Sequence, residues 1–230
     1  MKFDKYSIMG RFAPAVISIL VPAIVFNYFL VNNELSKFLG ELLAVKLVTG
    51  LGMTFVFYYL LAQISRTIGK ELFEKKIFKD EKCMPTTNFL MYSDGTYSEQ
   101  HKIKIRNTIE KEFHIVLPTK EQEALNENES RMIISETMAS IRKKLHGNDF
   151  LLKHNIEYGF IRNLIGGSVL GLIFSLVNIA LFKYLETSYV AVQISICTAV
   201  FYATVLLLGR FLITVYGKNY AKILFREYLG

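Results

Sequence analysis

The feature that most limits the possible folds of this chain is a set of four long windows with almost no ionisable side chains. They cover residues 12–31, 42–64, 164–182 and 190–208. A helix of ~20 apolar residues matches the ~30 Å hydrocarbon core of a bilayer. Charged residues, 20% of the chain, are concentrated between residues 66 and 162 instead. The sequence therefore predicts an all-α membrane protein with four transmembrane helices and a mostly helical cytosolic insert between the second and third spans.

The first window is predicted to be a retained span and not a cleaved signal peptide. It is as long as a full span, and Asn32-Asn33-Glu34 leads from it directly towards the next one. Pro22 lies well inside this window and should kink the helix, with neighbouring groups or Ser18 satisfying the freed carbonyls. A packing kink is the usual interpretation, and a gating hinge is the alternative.

Residues 149–185 are predicted to form one helix that leaves the membrane by several turns. The stretch contains no proline, and at ~1.5 Å per residue it would be about 54 Å long. We therefore divide the chain into a first transmembrane hairpin (1–65), a cytosolic helical domain continuous with spans two and three (66–162), and a second transmembrane hairpin with an amphipathic C-terminal tail (163–230).

The distribution of Lys and Arg predicts the orientation, because cytoplasmic flanks carry the excess of these residues. The sides predicted to be cytoplasmic carry Lys2, Lys5, Arg11, Arg66, Lys70, Lys75, Lys76, Lys153, Arg162, Lys218, Lys222 and Arg226. The opposite loops offer only Lys37, Lys183 and, at the edge, Lys46. Both termini and the insert are therefore expected on the cytoplasmic side of the membrane.

The formal net charge of +7 is carried mainly by these membrane flanks. Juxtamembrane Lys and Arg are attracted to anionic headgroups by ~1 kcal/mol each, so the lipid bilayer is the expected partner of this charge. No basic stripe interleaved with aromatic residues occurs, which disfavours nucleic-acid binding.

Local signals predict the elements of the insert. Residues 83–98 have turn signals and suggest a short hairpin around Asp94-Gly95. Ser98 can cap the following helix, and Thr119 with Gln122 forms a capping box. Apolar residues at helical spacing then mark one face of a longer helix, closed by Gly147; they are Ile134, Met138, Ile141 and Leu145.

Gly167, Gly171 and Ser175 lie four residues apart on the third span and form a face of small side chains. Such a face lets two helices approach closely. The partner is either another copy of the chain, which would make this face an oligomer interface around a pore, or another span of the same chain.

Polar residues within the predicted spans form a second candidate site. Asn27, Lys46, Asn178 and Gln193 all fall in the outer third of their spans under the predicted topology. Polar residues inside a membrane suggest a polar vestibule or ion path. Hydrogen bonds between helices are the competing explanation.

Catalytic and metal-binding patterns are weak. His154 and Glu157 have the i, i+3 spacing of carboxylate-bridged metal sites, but those sites need matching residues on facing helices, and the chain has no second HxxE. HExxH, GxSxG, P-loop and GxGxxG motifs do not occur, and the four windows contain no Asp or Glu. We expect no enzymatic activity, no cofactor and no metal site.

The segment HNIEYGFIRNLIGG (residues 154–167) resembles uncharacterised bacterial four-span inner-membrane proteins. The likeness extends to TYSEQHKIKIRNTIEKEF and RMIISETMASIRKKL and implies a bacterial origin. In layout the chain is also similar to small membrane components of antiphage defence systems, in which a cytosolic part senses a signal and a membrane part changes permeability. That analogy rests on architecture.

These observations lead to two expectations for function. The first is a homo-oligomeric, non-enzymatic membrane protein that acts as a channel or permeabilising effector under the control of its cytosolic domain. The second is a membrane scaffold or sensor that recruits a cytosolic protein partner through the acidic segment 121–129 and does not conduct ions.

Overall fold

The computed structural model describes residues 4–30 and 46–230, and it describes side chains for residues 4–30 and 56–230. Within these ranges the regular structure is helical, and no strand occurs. The α-helices are numbered in chain order: α1 (Ala13–Phe26), α2 (Lys46–Ile68), α3 (Lys75–Phe78), α4 (Pro85–Asn88), α5 (Glu99–Phe113), α6 (Lys120–Leu125), α7 (Glu127–Lys144), α8 (Asp149–Tyr184) and α9 (Tyr189–Leu229). π-Helical stretches at Ser7–Phe12 and Gly69–Glu74 precede α1 and α3.

Among the described residues, three helical segments are long and apolar enough to cross a membrane. They are Ser7–Leu30, Asp149–Tyr184 and Tyr189–Leu229. The second predicted window begins at residues 42–45, which lie outside the described residues, and continues in α2. The all-helical fold and three apolar helices agree with the sequence analysis.

The predicted long helix is confirmed. α8 contains 36 residues, which at ~1.5 Å per residue gives a length of about 54 Å. Gly147 adopts a φ of +94°, which separates α8 from the preceding helix. Asn148 Oδ1 then accepts a hydrogen bond of 2.8 Å from the Leu151 N–H group and caps the new helix.

The chain divides into two compact units. The first unit contains Met1–Phe73 and Gly159–Arg210, and the second contains Glu74–Tyr158 and Phe211–Gly230. The end of the amphipathic tail, which the sequence analysis grouped with the second hairpin, therefore belongs to the same unit as the predicted insert. Both boundaries on the C-terminal half fall inside helices, since α8 and α9 are each continuous there.

The second unit has a single apolar cluster built from its helices and the chain end. The spacing prediction for α7 holds, because Ile134, Met138 and Ile141 are fully buried and Leu145 is partly buried against them. Ile105 and Ile109 of α5 are buried in the same cluster. The tail adds Ala221, Leu224, Phe225 and Tyr228. Full burial of one such large side chain stabilises the fold by about 1.5–3 kcal/mol.

The hairpin predicted for residues 83–98 is wrong. Pro85 starts the short helix α4, and turns follow it through Tyr97. Phe89, Leu90 and Met91 are buried in the apolar cluster, but their backbone is not paired with another strand. Charged side chains bind this backbone instead, as described below.

Candidate functional site

The first unit is organised around a proline inside its N-terminal helix. Pro22 lies within α1 and has no N–H group, so the carbonyl of Ser18 loses its helical donor. A Cβ atom built on Gly171 of α8 would lie only 2.5 Å from this Ser18 oxygen. The backbone of α8 therefore contacts α1 where the proline interrupts the hydrogen bonding, and a weak Cα–H···O contact can form there.

Side chains from two other helices bind the carbonyls next to this interruption. Asn178 Nδ2 on α8 donates to Pro22 O at 2.9 Å, and Tyr202 OH on α9 donates to Ile17 O at 3.1 Å. Asn178 is 0% and Tyr202 1% exposed. The Asn178 bond is buried, and the Tyr202 bond is partly buried because Ile17 is 44% exposed. We call Ile17, Ser18, Pro22, Gly171, Asn178 and Tyr202 the Pro22 network.

The predicted face of small residues packs inside the chain. A Cβ atom on Gly167 would lie 2.3 Å from Ser18 Oγ, and the corresponding atom on Gly171 would meet both α1 and Tyr202. Ser175 Oγ donates to Gly171 O at 2.8 Å and lies 3.1 Å from Thr198 Oγ1 on α9. An oligomer interface built on this face would have to replace these contacts.

The described members of the predicted polar cluster do not form one buried group. Asn178 is buried within the Pro22 network, whereas Asn27 and Gln193 are exposed. The Lys46 side chain lies outside the described residues. Among the described residues, Asn178 Oδ1 is buried and has no hydrogen-bond partner, although its amide nitrogen is bonded.

The sequence analysis missed a second close helix contact, between α8 and the segment that follows α2. A Cβ atom on Gly166 would lie 2.0 Å from Ser65 O and 2.5 Å from the Gly69 nitrogen. One on Gly69 would lie 2.4 Å from Arg162 O. Here the two backbones touch, and the Gly166-Gly167 pair was the available sequence signal.

The second unit contains a buried group of charges that the sequence analysis also missed. Lys102, Arg106 and Glu123, which we call the buried charged cluster, are 2%, 8% and 7% exposed. Lys102 Nζ donates to Met91 O at 2.6 Å and also to Asp94 O. Buried charges are costly unless they are paired or hydrogen-bonded, so their bonding partners define their role.

Arg106 and Glu123 form the remaining hydrogen bonds of this cluster, most of them to the backbone of residues 90–93. Arg106 donates from Nη2 to Leu90 O at 2.6 Å and from Nη1 to Pro118 O at 2.7 Å. The Glu123 carboxylate accepts from the Tyr92 and Ser93 N–H groups at 2.8 and 2.9 Å. Side chains thus form hydrogen bonds with the backbone groups of residues 90–93 that would pair with a neighbouring strand.

The electrostatics of Arg106 follow from this environment. Its guanidinium carbon lies 4.3 Å from the centre of the Tyr92 ring. Burial lowers the pKa of Arg106, while Tyr92 and Glu123 act in the opposite direction. A sequence signal existed, because Lys102 and Arg106 share the helical face of Ile105 and Ile109, where exposed charges are not expected.

His154 and Glu157 form a local pair. His154 Nδ1 lies 3.0 Å from Glu157 Oε2, and both side chains are partly exposed. In the described part of the chain, no three His, Cys, Asp or Glu side chains are grouped so that they could hold a metal ion.

The Pro22 network and the buried charged cluster position backbone segments, and their bonds contain no arrangement of nucleophile and base. The network is built from amide, hydroxyl and carbonyl groups, which bind α1 on both sides of Pro22's missing hydrogen bond. A comparison of the chain with known protein families, curated proteins and solved structures found no match.

Proposed function

We propose that this chain is a four-span, non-enzymatic protein of the bacterial inner membrane that self-associates and changes membrane permeability when its helical domain receives a signal. Three apolar helices support membrane insertion, and residues 42–64 supply the fourth span. Both termini and the domain face the cytoplasm, in line with the excess of Lys and Arg on those flanks.

The Pro22 network is the observation that carries the proposal. Its two donors, Asn178 and Tyr202, lie on α8 and α9, which contain 36 and 41 residues. A bilayer needs only ~20 helical residues, so each helix extends well beyond its apolar part. A displacement of the extended parts would reach both donors through continuous helix, without a flexible linker.

The free energy of the two hydrogen bonds to α1 is in the range expected for a conformational switch. Hydrogen bonds between membrane helices contribute ~0.6–2 kcal/mol each. The two bonds to Ile17 O and Pro22 O together contribute about 1–4 kcal/mol, which is in the range of the free-energy difference between two populated conformations. A partner or ligand that binds somewhat more tightly to the conformation without these two bonds can therefore separate α1 from Asn178 and Tyr202.

An ion-flux measurement on liposomes tests this function. The purified chain should conduct, and Asn178→Leu combined with Tyr202→Phe should raise the basal flux because both bonds to α1 are lost. Thr204→Val is the matched control, since its hydroxyl bonds only to Val200 O of its own helix. Absence of flux for all variants, at every applied potential, would refute the permeability function.

A topology measurement tests the threading on which the proposal depends. Tags at Met1, Asn126 and Gly230 should all be shielded from reagent in intact spheroplasts and accessible after lysis. In cells, the similarity in layout to antiphage components leads us to expect loss of membrane potential after infection. Labelling of any of the three tags in intact spheroplasts would contradict the four-span arrangement.

The second candidate function is a membrane scaffold that recruits a cytosolic protein through the segment 121–129. One observation favours it: Leu125 in this segment is 86% exposed. Capture of a specific partner by the full-length protein, together with absence of flux, would favour the scaffold over the channel.

A further inference from the structure

The second unit contains a surface groove at the junction of α6 and α7. Its volume is about 330 Å³, near the lower end of the ~300–1,000 Å³ range of ligand pockets. It is lined by Val116, Pro118, Gln122, Leu125, Asn126, Glu129, Ser130 and Ile133.

The groove presents apolar side chains that the fold does not cover. Leu125 is 86% and Val116 69% exposed, which makes them the two most exposed large apolar side chains of this unit. Single exposed apolar residues are ordinary on protein surfaces. These two, however, line the same concavity, and burying each would stabilise a complex by up to about 1.5–3 kcal/mol.

The charge of the groove favours a basic ligand over an anionic one. Glu129 is the one charged residue among those that line it, and no Lys or Arg does. Glu127 is paired with Arg131 at 2.7 Å and contributes little. The Glu129 carboxylate repels anionic lipid headgroups and attracts Lys and Arg.

We propose that this groove binds a short basic amphipathic segment of a partner protein. One or two aliphatic side chains of the segment would contact Val116 and Leu125, and an adjacent Lys or Arg would pair with Glu129. The inference names the partner chemistry of the scaffold function and rests on that function, but it does not depend on ion permeation.

Fluorescence anisotropy with full-length protein in detergent tests the inference. The probe is a short fluorescein-labelled helical peptide with two leucines one turn apart and flanking lysines; its matched control carries glutamates instead. The lysine peptide should bind, and Leu125→Glu should weaken binding about tenfold or more. Ile103→Glu places the same charge on another exposed aliphatic position of the unit, 47% exposed and outside the groove, and should leave binding unchanged.

A second variant isolates the electrostatic part. Glu129→Gln keeps an oxygen that can accept the 2.9 Å bond from Asn126 Nδ2, so the local structure is retained. It should weaken binding of the lysine peptide and reduce the salt dependence of that binding.

Equal binding of both peptides, or equal effects of Leu125→Glu and Ile103→Glu, would overturn the inference. Conversion of an oligomer into a smaller particle by Leu125→Glu would also overturn it, because it would identify a second copy as the occupant. Capture of a partner by the full-length protein that Leu125→Glu leaves unchanged would retain the scaffold function and reject the groove. Absence of any captured partner, with the lysine peptide still bound, would reject the scaffold function alone.

Discussion

Replacing Gly171 with alanine tests whether the close approach of α8 to α1 holds the Pro22 network together. The added methyl group would lie 2.5 Å from Ser18 O and 2.8 Å from two ring carbons of Tyr202. Since Cβ atoms do not approach other heavy atoms more closely than 3.0 Å, α1 has to withdraw by about 0.5 Å or more.

This displacement reaches the hydrogen bond of Asn178. A rigid withdrawal of that size would stretch the Asn178 Nδ2–Pro22 O distance from 2.9 Å to about 3.4 Å, beyond the ~2.7–3.2 Å range of good N–H···O bonds. Overpacking costs about 1–3 kcal/mol, and the weakened bond adds up to ~0.6–2 kcal/mol. We expect a loss of about 2–4 kcal/mol.

The measurement is thermal unfolding of the full-length protein in detergent, followed by circular dichroism at a fixed scan rate. A loss of 1 kcal/mol corresponds to a shift of ~2–4 °C for a chain of this size, so the apparent Tm should fall by roughly 5–15 °C. Gly209→Ala is the matched control, because its Cβ would lie 3.2 Å from the Cγ2 methyl of Ile165 and not against backbone. Equal shifts for the two variants would refute the reasoning.

Three further predictions concern the second unit. Arg106→Met leaves Leu90 O and Pro118 O without their donor. Removal of a buried charged partner costs about 3–5 kcal/mol, so we expect that loss in the free energy of unfolding measured with denaturant. A loss below about 1 kcal/mol would contradict this prediction. Thr119→Ala removes the α6 cap and should cost about 0.5–2 kcal/mol, against a smaller loss for Thr108→Ala, whose hydroxyl bonds within its own helix. The hydrogen bond from Lys144 lowers the pKa of Glu112. The stabilisation that ionised Glu112 provides is therefore present above its unfolded-state pKa and is lost as pH falls through the lower folded-state pKa. Lys144→Met should flatten the acid side of the curve of unfolding free energy against pH, and an unchanged curve would disprove the link.

The sequence by itself determined the helical elements and where several of them begin. Local signals act through neighbours a few residues away, so their effect can be inferred from the sequence alone. They include the capping residues Ser98 and Thr119 and the proline-free stretch 149–185. Three of the four apolar windows likewise identified helices that are long and apolar enough to cross a membrane, because span length is a property of a single segment.

Only the tertiary structure decided which polar groups meet. Asn178 bonds to Pro22, 156 positions away, whereas Asn27 and Gln193, chosen by the same criterion, remain exposed. Residues 89–92 have the apolar character of a strand, but Lys102, Arg106 and Glu123 bind the Met91 and Leu90 carbonyls and the Tyr92 and Ser93 N–H groups. Hydrogen-bond partners of this kind depend on how helices pack in three dimensions, and local spacing carries no information about them.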